Sequence, residues 1–314
     1  MIHLDKKDIG PIYCISAALI WGLSFVAQKM GAHIGTFTFN GIRLVIGGIA
    51  LIPVLIFNFT RQNKKALPEE KKKFDFKGML TGGAVCGFVL FCGSNLQQHA
   101  FSFDIPAGKV GFITALYMIL VPLMGLFLKQ FPKINVWLGV VAGVIGLYYL
   151  CVPEGDFTVG EGEKFALLCA FCFAIHILVV DYFCTRVDGI ALSCGQYLVA
   201  GILSIICMFI FEGKPDMEAI SKSAVPIIYA GVGSCSLAFT FQIYGQRYTQ
   251  PAVASVLLCL ESVFSVLFGW LIIHDKLETR ALAGCLIMFA GVLLTQIEFS
   301  TKKKKDKKKE KKKA

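Results

Sequence analysis

The sequence has little charge and few long polar stretches. Only 17% of its 314 residues are Asp, Glu, Lys or Arg, whereas 56% are hydrophobic. A soluble domain of this length could not cover so much apolar side chain with polar surface. The sequence also lacks a Gly-rich loop ending in Gly-Lys-Ser/Thr and a His-Glu-x-x-His motif, the signatures of ATP binding and of zinc hydrolases. We therefore expect an integral membrane protein that is not an enzyme and holds no cofactor or metal.

Ten apolar runs follow one another along the chain, each of about the 20 residues with which a helix crosses the hydrocarbon core. Turn and charge signals such as Gly213-Lys214-Pro215-Asp216 separate them. A secretory signal peptide is not expected, because the first run ends at Lys29-Met30 without a small-residue cleavage pattern. The predicted class is all-α integral membrane, with spans one to ten at 9–30, 37–59, 76–100, 106–128, 134–152, 165–183, 190–211, 224–244, 252–273 and 281–297.

The distribution of Lys and Arg predicts the orientation of these spans. With a cytoplasmic N-terminus, the inside segments hold 23 basic residues and the outside segments hold seven. Both termini are then expected on the cytoplasmic side of the plasma membrane, which agrees with an even number of spans. Ten of the inside lysines lie between Lys302 and Lys313. We expect residues 298–314 to form a disordered polybasic tail that attracts anionic lipid, and we expect no nucleic-acid partner.

An internal repeat relates the two halves of the chain. A shift of 145 positions places Gln97 on Gln242, Gly139 on Gly284 and Gly146 on Gly291, together with the ends of spans three to five on those of spans eight to ten. A shift of about 153 brings Arg43 onto Gln196. Each half, 9–152 and 165–297, has five spans, and an odd number reverses the direction of the second half. We therefore expect two inverted five-helix repeats around a central cavity, an arrangement typical of alternating access.

Several motifs resemble the drug/metabolite transporter superfamily, in its EamA-like branch of ten helices and two EamA domains. They are Ala18-Leu19-Ile20-Trp21-Gly22, Gly41-Ile42-Arg43-Leu44, Pro251-Ala252, Leu260-Glu261-Ser262-Val263-Phe264 and the stretch from Leu277 through Gly284 to Gly291. The resemblance covers the chain except the loop at 61–77 and the lysine tail. This sequence departs from the family pattern at Ser262, where proline is usual, and at His274-Asp275, where Gly-Glu is usual.

The resemblance implies a transporter of small organic metabolites, such as amino acids, related compounds or drugs. It implies an exporter that works by alternating access, with spans five and ten outside the cavity. A metabolite importer of the same fold and an intramembrane enzyme are the alternatives. The chain would act as a monomer or a homodimer on a small-molecule substrate.

Ionisable residues inside the spans are candidates for the site, since each costs about 2.5–3.5 kcal/mol on insertion scales and needs a cavity or a partner. Arg43 either binds a substrate carboxylate or phosphate, pairs with Glu261, or reaches towards the outer interface. Glu261 is a candidate for proton coupling, against a helix-packing hydrogen bond. His176 is a second candidate, against an ordinary buried hydrogen bond. Asp181 and Lys109 lie nearer the span ends and are expected at the interface.

Uncharged residues complete the predicted substrate site. Gln97 and Gln242 occupy repeat-related positions and either line the pathway or bond neighbouring helices. Trp21 and Tyr117 are candidate aromatic walls, against simple packing. The substrate-binding set is therefore Trp21, Arg43, Gln97, Tyr117, His176, Gln242 and Glu261, with Glu261 and His176 also assigned to proton coupling.

Overall fold

The computed structural model describes residues 6–65, 73–103, 105, 107–152, 160–268, 270–271 and 279–297, and these residues are almost entirely helical. The predicted tail at 298–314 lies outside this described part. Lipid offers the backbone no hydrogen-bond partners, so a spanning segment must satisfy its own amides as a helix. The helices are α1 (Lys6–Met30), α2 (Thr36–Lys65), α3 (Phe76–Ala100), α4 (Ala107–Ala115), α5 (Tyr117–Phe127), α6 (Ile134–Cys151), α7 (Glu161–Cys184), α8 (Gly189–Cys207), α9 (Met217–Lys222), α10 (Ala224–Ile228), α11 (Thr240–Gln246), α12 (Pro251–Leu258), α13 (Leu260–Phe268) and α14 (Thr279–Gln296).

Nine stretches of the described residues are long and apolar enough to cross a bilayer. The predicted fifth span differs from them, because Ile134–Leu150 is a shorter apolar helix. With a rise of about 1.5 Å per residue, the whole of α6 extends about 27 Å, close to the hydrocarbon thickness of about 30 Å. The predicted fold class is confirmed in its all-helical, membrane-spanning character, with nine full-length spans and one shorter helix in the described residues.

Two spans are interrupted near their middle. Leu116 separates α4 from α5 in span four, and Cys259 separates α12 from α13 in span nine. At both positions the backbone is helical but tightened, with ψ of −10° at Leu116 and −13° at Cys259. The amide of Ser262 donates to the carbonyl of Cys259 at 3.2 Å. Span nine is therefore interrupted even though residue 262 is a serine and not a proline.

Span eight contains a π-helical segment, Tyr229–Phe239, between α10 and α11. A π-helical turn is wider than an α-helical turn and changes which backbone carbonyls find amide partners. The Ser236 hydroxyl donates to the carbonyl of Gly231 at 3.2 Å and to that of Gly47 in α2 at 3.0 Å. The irregular backbone is thus joined to the opposite half by a side-chain hydrogen bond.

The two halves are interleaved. Helix α1 packs against α11, α12 and α13 of the second half, and α7 packs against α3, α4 and α5 of the first half. The first helix of each half therefore lies against the third and fourth spans of the other. Helices α2 and α8, the second in each half, pack against each other, as do α6 and α14, the fifth in each half.

The contact between α6 and α14 is made by glycines at repeat-related positions. A Cβ added to Gly146 would lie 2.7 Å from the carbonyl oxygen of Gly284, and one added to Gly139 would lie 2.7 Å from that of Gly291. Residue numbers increase along one helix as they decrease along the other, so the two helices run antiparallel. The two glycine contacts exchange with each other when the halves are exchanged, as in an isologous interface.

Helices α2 and α8 meet in the same way. Gly48 faces Leu198, and Gly201 faces Val45. These two contacts also exchange with each other under the shift of 153 positions that relates the helices. Both pairs of equivalent helices therefore cross antiparallel through close glycine contacts, which let the backbones approach.

Candidate functional site

A cavity of about 50 Å³ lies between the two halves. Helices α6, α8 and α14 contribute none of the described residues that line it, so spans five and ten lie outside the cavity wall. This location, at depth in the bundle and between the repeats, is typical of transporter substrate sites. The lining consists of Trp21, Ser24, Phe25, Gln28, Arg43, Ser94, Gln97, Thr114, Tyr117, Phe173, His176, Ile177, Ser234, Phe239, Gln242, Leu258 and Glu261.

Arg43 projects from α2 and is 3% exposed. Its Nε donates to Oδ1 of Asn40 at 2.7 Å, and its guanidinium lies over the ring of Phe39 at 5.5 Å from the centroid. Within the described residues, no carboxylate lies within ion-pair distance of Arg43. The ion pair with Glu261 that the sequence left open is therefore absent from this structure.

Asn40 is held by a chain of hydrogen bonds that reaches the second half. Its Nδ2 donates to the carbonyl of Ser94 at 2.9 Å and to Oδ1 of Asn95 at 3.0 Å. Asn95 in turn donates to Oγ of Ser204 in α8 at 2.9 Å. The orientation of Arg43 is thus tied to α3 and, through it, to α8.

Glu261 is in the first turn of α13, directly after the interruption at Cys259, and is 6% exposed. Tyr117, the first residue of α5, donates from its hydroxyl to Oε1 of Glu261 at 3.4 Å. That distance is long for an O–H···O bond, so the contact is weak. The two interrupted spans therefore bring their second halves together at one wall of the cavity.

His176 lies in the middle of α7 and is 1% exposed. Its Nε2 is 3.0 Å from Oε1 of Gln196 in α8, and its ring meets the edge of Phe239 at 5.9 Å between centroids. The Nε2 of Gln196 has no hydrogen-bond partner within the described residues. His176 therefore has one polar contact and still lines the cavity.

The two repeat-related glutamines both line the cavity, with different partners. Gln97 donates from Nε2 to Oγ1 of Thr114 at 3.5 Å. Gln242 donates to Oε1 of Gln246 at 3.0 Å, and Gln246 donates to the carbonyl of Ile177 at 2.7 Å. The Oε1 of Gln242 is buried and has no hydrogen-bond donor within the described residues.

An aromatic wall faces these polar groups. Trp21 meets Phe239 edge-on at 4.6 Å between ring centroids, and Phe173 and Tyr117 also line the cavity. The indole Nε1 of Trp21 is buried without a hydrogen-bond partner in the described part of the chain. Such a wall can contact the apolar part of a ligand, while the indole N–H is a possible donor to a polar atom of the same ligand.

A second cavity of about 420 Å³ lies where the ends of α5, α7 and α11 meet the start of α12. Asp181 and Arg247 are among its lining residues, and Oδ2 of Asp181 accepts from Gln130 at 3.4 Å. Gln246 lines this cavity, whereas its partner Gln242 lines the central one. The hydrogen bond between the two glutamines therefore connects a residue of the central cavity with a residue of the second cavity.

All seven residues of the predicted substrate site line the central cavity; their individual roles remain predictions. Sequence reasoning missed Asn40, Gln28 and the partnership of Gln196 with His176. The repeat, which places Arg43 on Gln196, could have indicated the contact of Gln196 with His176. Arg43 lines the cavity itself, and Gln196 contacts a residue that lines it. The side chain of Lys109 lies outside the described part of the structure, and no cluster of three potential metal ligands occurs within that part.

This arrangement, a helical membrane bundle of two halves around an internal cavity, is that of a membrane transporter. The sequence profile described as the EamA-like transporter family matches residues 8–152 and again 161–297. The chain belongs to this family, which is part of the drug/metabolite transporter superfamily. It is thus a multi-pass membrane transporter for small molecules, and its named relatives are transporters and not enzymes.

Two relatives align with about nine tenths of the chain at low identity. An "Uncharacterized transporter YoaV" of Bacillus subtilis (strain 168) is 25% identical over 92% of this chain and 97% of that protein. An "Uncharacterized transporter" of Archaeoglobus fulgidus is 25% identical over 89% of this chain and 83% of its own length. A solved structure titled "Crystal structure of protein" superposes with a TM-score of 0.73 at 18% identity, covering 91% of this chain and 95% of that one. This likeness concerns the fold alone.

Proposed function

We propose that the chain is a secondary transporter that exports small organic metabolites, such as amino acids, related compounds or drugs, by alternating access. The observation that carries the proposal is the central cavity, which is lined by Arg43, Glu261 and His176, three ionisable residues of the predicted membrane spans. Each such group is costly in a membrane and is usually found along a substrate or ion pathway. A purely structural bundle would gain nothing from placing all three in one cavity.

The antiparallel glycine contacts support alternating access. Interfaces whose contacts exchange under the repeat allow two packings of nearly equal energy, one open to each side. The α6–α14 and α2–α8 contacts have this property. In this scheme the cavity is exposed first on one face and then on the other, while the glycine seams remain closed.

Glu261 and His176 are the proposed proton-coupling residues. Both are buried, both line the cavity and neither is ion-paired within the described residues. Export driven by proton exchange requires a group that binds a proton when the cavity faces one side and releases it on the other. Importers of the same fold would use the same groups, so transport direction needs its own measurement.

The second cavity lies on the face from which an exporter would load its substrate. It lies among segments predicted to be cytoplasmic and is joined to the central cavity by the Gln242–Gln246 hydrogen bond. A cytoplasmic vestibule of this kind would load substrate from inside the cell.

The transport proposal is accompanied by four others. We propose that the protein lies in the plasma membrane, that both termini are cytoplasmic, that the lysine tail binds anionic lipid, and that the protein is a monomer or a homodimer.

Counterflow in proteoliposomes tests the transport function. A thermal-shift screen of the purified protein against a metabolite panel selects a ligand, and vesicles loaded with that ligand are diluted into a trace of its labelled form. A transporter accumulates the label transiently, an enzyme alters it chemically, and a channel does neither. Absence of counterflow for every stabilising ligand contradicts the proposal.

A further inference from the structure

We propose that Arg43 is the anion-binding end of the substrate site, that Asn40 positions its guanidinium, and that the cargo is a small organic monoanion with an apolar body. This inference rests on the proposed transport function and names the substrate class of the same cavity. It follows from the contacts of Arg43, from the support of Asn40 and from the charge of the cavity lining, taken in that order.

Arg43 is a buried cation without a protein counter-ion. It is 3% exposed, and no carboxylate of the described residues lies within ion-pair distance. A guanidinium does not shed its proton in a protein, so the charge persists at this depth. An uncompensated buried charge is strongly destabilising, and a bound anion would compensate it. The missing counter-ion is therefore expected to be the cargo.

The guanidinium is oriented for two-point binding. Its Nε is used by Asn40 at 2.7 Å, whereas its terminal amino groups make no hydrogen bond with a described residue. The side chain lines the cavity, so these amino groups are available to a ligand there. A planar pair of N–H groups matches the two oxygens of a carboxylate and gives a short, charge-assisted contact.

Asn40 acts on the substrate through Arg43. Its amide accepts from Arg43 on one side and donates to the Ser94 carbonyl and to Asn95 on the other. Asn40 is fully buried, so it is held by these bonds and not by water. It fixes the plane of the guanidinium and thereby reduces the entropy lost on binding.

The lining favours a single negative charge, when Glu261 carries the proton that the coupling proposal assigns to it, and an apolar body. Among the described residues that line the cavity, Arg43 is the one permanent cation. A phosphate carries more charge and commonly recruits several cationic groups, whereas one guanidinium fork suffices for a carboxylate. Trp21, Phe173 and Phe239 supply apolar surface for the remainder of the molecule.

Fluorescence of Trp21 tests the anion site directly. The chain has three tryptophans, and replacing the other two (Trp137→Phe, Trp270→Phe) leaves a reporter in the cavity wall. The full chain in detergent is titrated with 3-phenylpropionate, the matched neutral 3-phenylpropanamide, the zwitterion phenylalanine and phenyl phosphate. We expect saturable quenching by 3-phenylpropionate, with the amide at least about tenfold weaker because it lacks the charge. Phenyl phosphate is expected to bind more weakly than the monoanion.

Three variants separate charge, positioning and general stability. Arg43→Gln should remove the preference for carboxylate over amide altogether. Asn40→Ala should weaken carboxylate binding about tenfold and keep the preference, and Asn40→Asp should abolish it by giving Arg43 an internal counter-ion. Asn135→Ala is the matched control, since Asn135 is a buried asparagine that bonds the carbonyls of Leu294, Thr295 and Ile297 away from the cavity. It should leave the preference unchanged.

Several outcomes overturn the anion site. They are equal binding of amide and carboxylate, no quenching by any carboxylate of the panel, tighter binding of phenyl phosphate, and a carboxylate preference that survives Arg43→Gln. The transport function is judged separately by counterflow. Carboxylate-dependent quenching without counterflow would support the anion site and contradict the transport function. Counterflow of ligands without any preference for carboxylate would support the transport function and contradict the anion site.

Discussion

At the scale of single residues, the cavity is a place where polar side chains have few protein partners. Tyr117 and Glu261 share one long hydrogen bond, Gln242 keeps an acceptor without a donor among the described residues, and Trp21 keeps an N–H without an acceptor among them. Buried polar groups normally find partners, and those that do not are often found where a ligand or water binds. These groups are therefore well suited to exchange partners during a transport cycle.

Glu261 and Tyr117 should differ in their effect on coupled transport. Glu261→Gln removes the group that carries the proton, so transport driven by a pH gradient should stop while the protein remains inserted. Tyr117→Phe removes a weak hydrogen bond of about 0.5–1.5 kcal/mol, so the rate should fall by about tenfold at most. Uptake and efflux in vesicles with an imposed pH gradient measure both. Full activity of Glu261→Gln would remove Glu261 from the coupling proposal.

Arg43→Gln should also abolish transport, for the different reason that the cavity loses its cation. Protein level and membrane insertion of the variant should match those of the wild type, which immunoblotting of carbonate-washed membranes checks. A variant that is inserted and transports at the wild-type rate would contradict a role for Arg43 in the cycle.

The composition of the site could be predicted from the sequence, whereas its contacts could not. Lipid makes each polar residue in a span expensive, so Arg43, His176 and Glu261 stand out within apolar runs. Which of them face each other depends on helix rotation and crossing, which one sequence does not fix. Asn40 was overlooked because an asparagine near a span end is unremarkable until its three hydrogen bonds are seen.

At the scale of helices, the seam between α6 and α14 depends on the absence of a Cβ. Gly146→Ala would place a methyl group 2.7 Å from the carbonyl oxygen of Gly284, which is backbone and cannot turn aside. We expect a loss of about 1–3 kcal/mol in the free energy of unfolding as the helices separate. Thermal unfolding in detergent measures the change. Gly111→Ala is the control, because its nearest atoms would lie at 3.8 Å or more, and it should be neutral or slightly stabilising.

The N-terminus of α2 is capped by a carboxylate from the other half. Glu212 is the last residue of a π-helical turn, Met208–Glu212, that follows α8. It accepts from the amides of Phe37 and Thr38 at 2.8 and 2.9 Å and from the Thr38 hydroxyl at 2.7 Å. Glu212→Ala should lower stability by about 0.5–2 kcal/mol, as the loss of a helix cap does. Glu218→Ala removes only an exposed pair with Lys222 and should cost about 0.5 kcal/mol or less. Equal melting temperatures for the two variants would show that the cap contributes little.

The spans could be located from the sequence because hydrophobic length is a strong signal, but their interruptions could not. The breaks at Leu116 and Cys259 fall within apolar runs of ordinary composition. The π-helical segment of span eight likewise changes the backbone without changing hydropathy. Such features follow from packing between helices, which the paired glycines indicated only at the α6–α14 and α2–α8 contacts.

At the scale of the whole molecule, the even number of predicted spans requires both ends of the chain on one face. Reporters that are active only in the cytoplasm should work when fused at residue 1, at Phe131 and after the lysine tail, and should be silent at Lys214. The expected pattern follows from the excess of basic residues in the inside segments. Activity at Lys214 together with silence at residue 1 would reverse the orientation, and opposite ends on opposite faces would contradict the even count.

The cap on α2 also makes the two ends of the helix bundle differ, although the two halves are related by the repeat. Helix α8, the counterpart of α2, is capped by Asp188 from its own connecting segment, whose carboxylate accepts from the amides of Ile190 and Ala191 in the same half. Separating the two halves at the predicted outer face would break the Glu212 contact between them, whereas separating them at the predicted inner face would leave the Asp188 cap intact. We therefore expect the Glu212 contact to favour, before any substrate binds, the conformation in which the predicted outer face is closed.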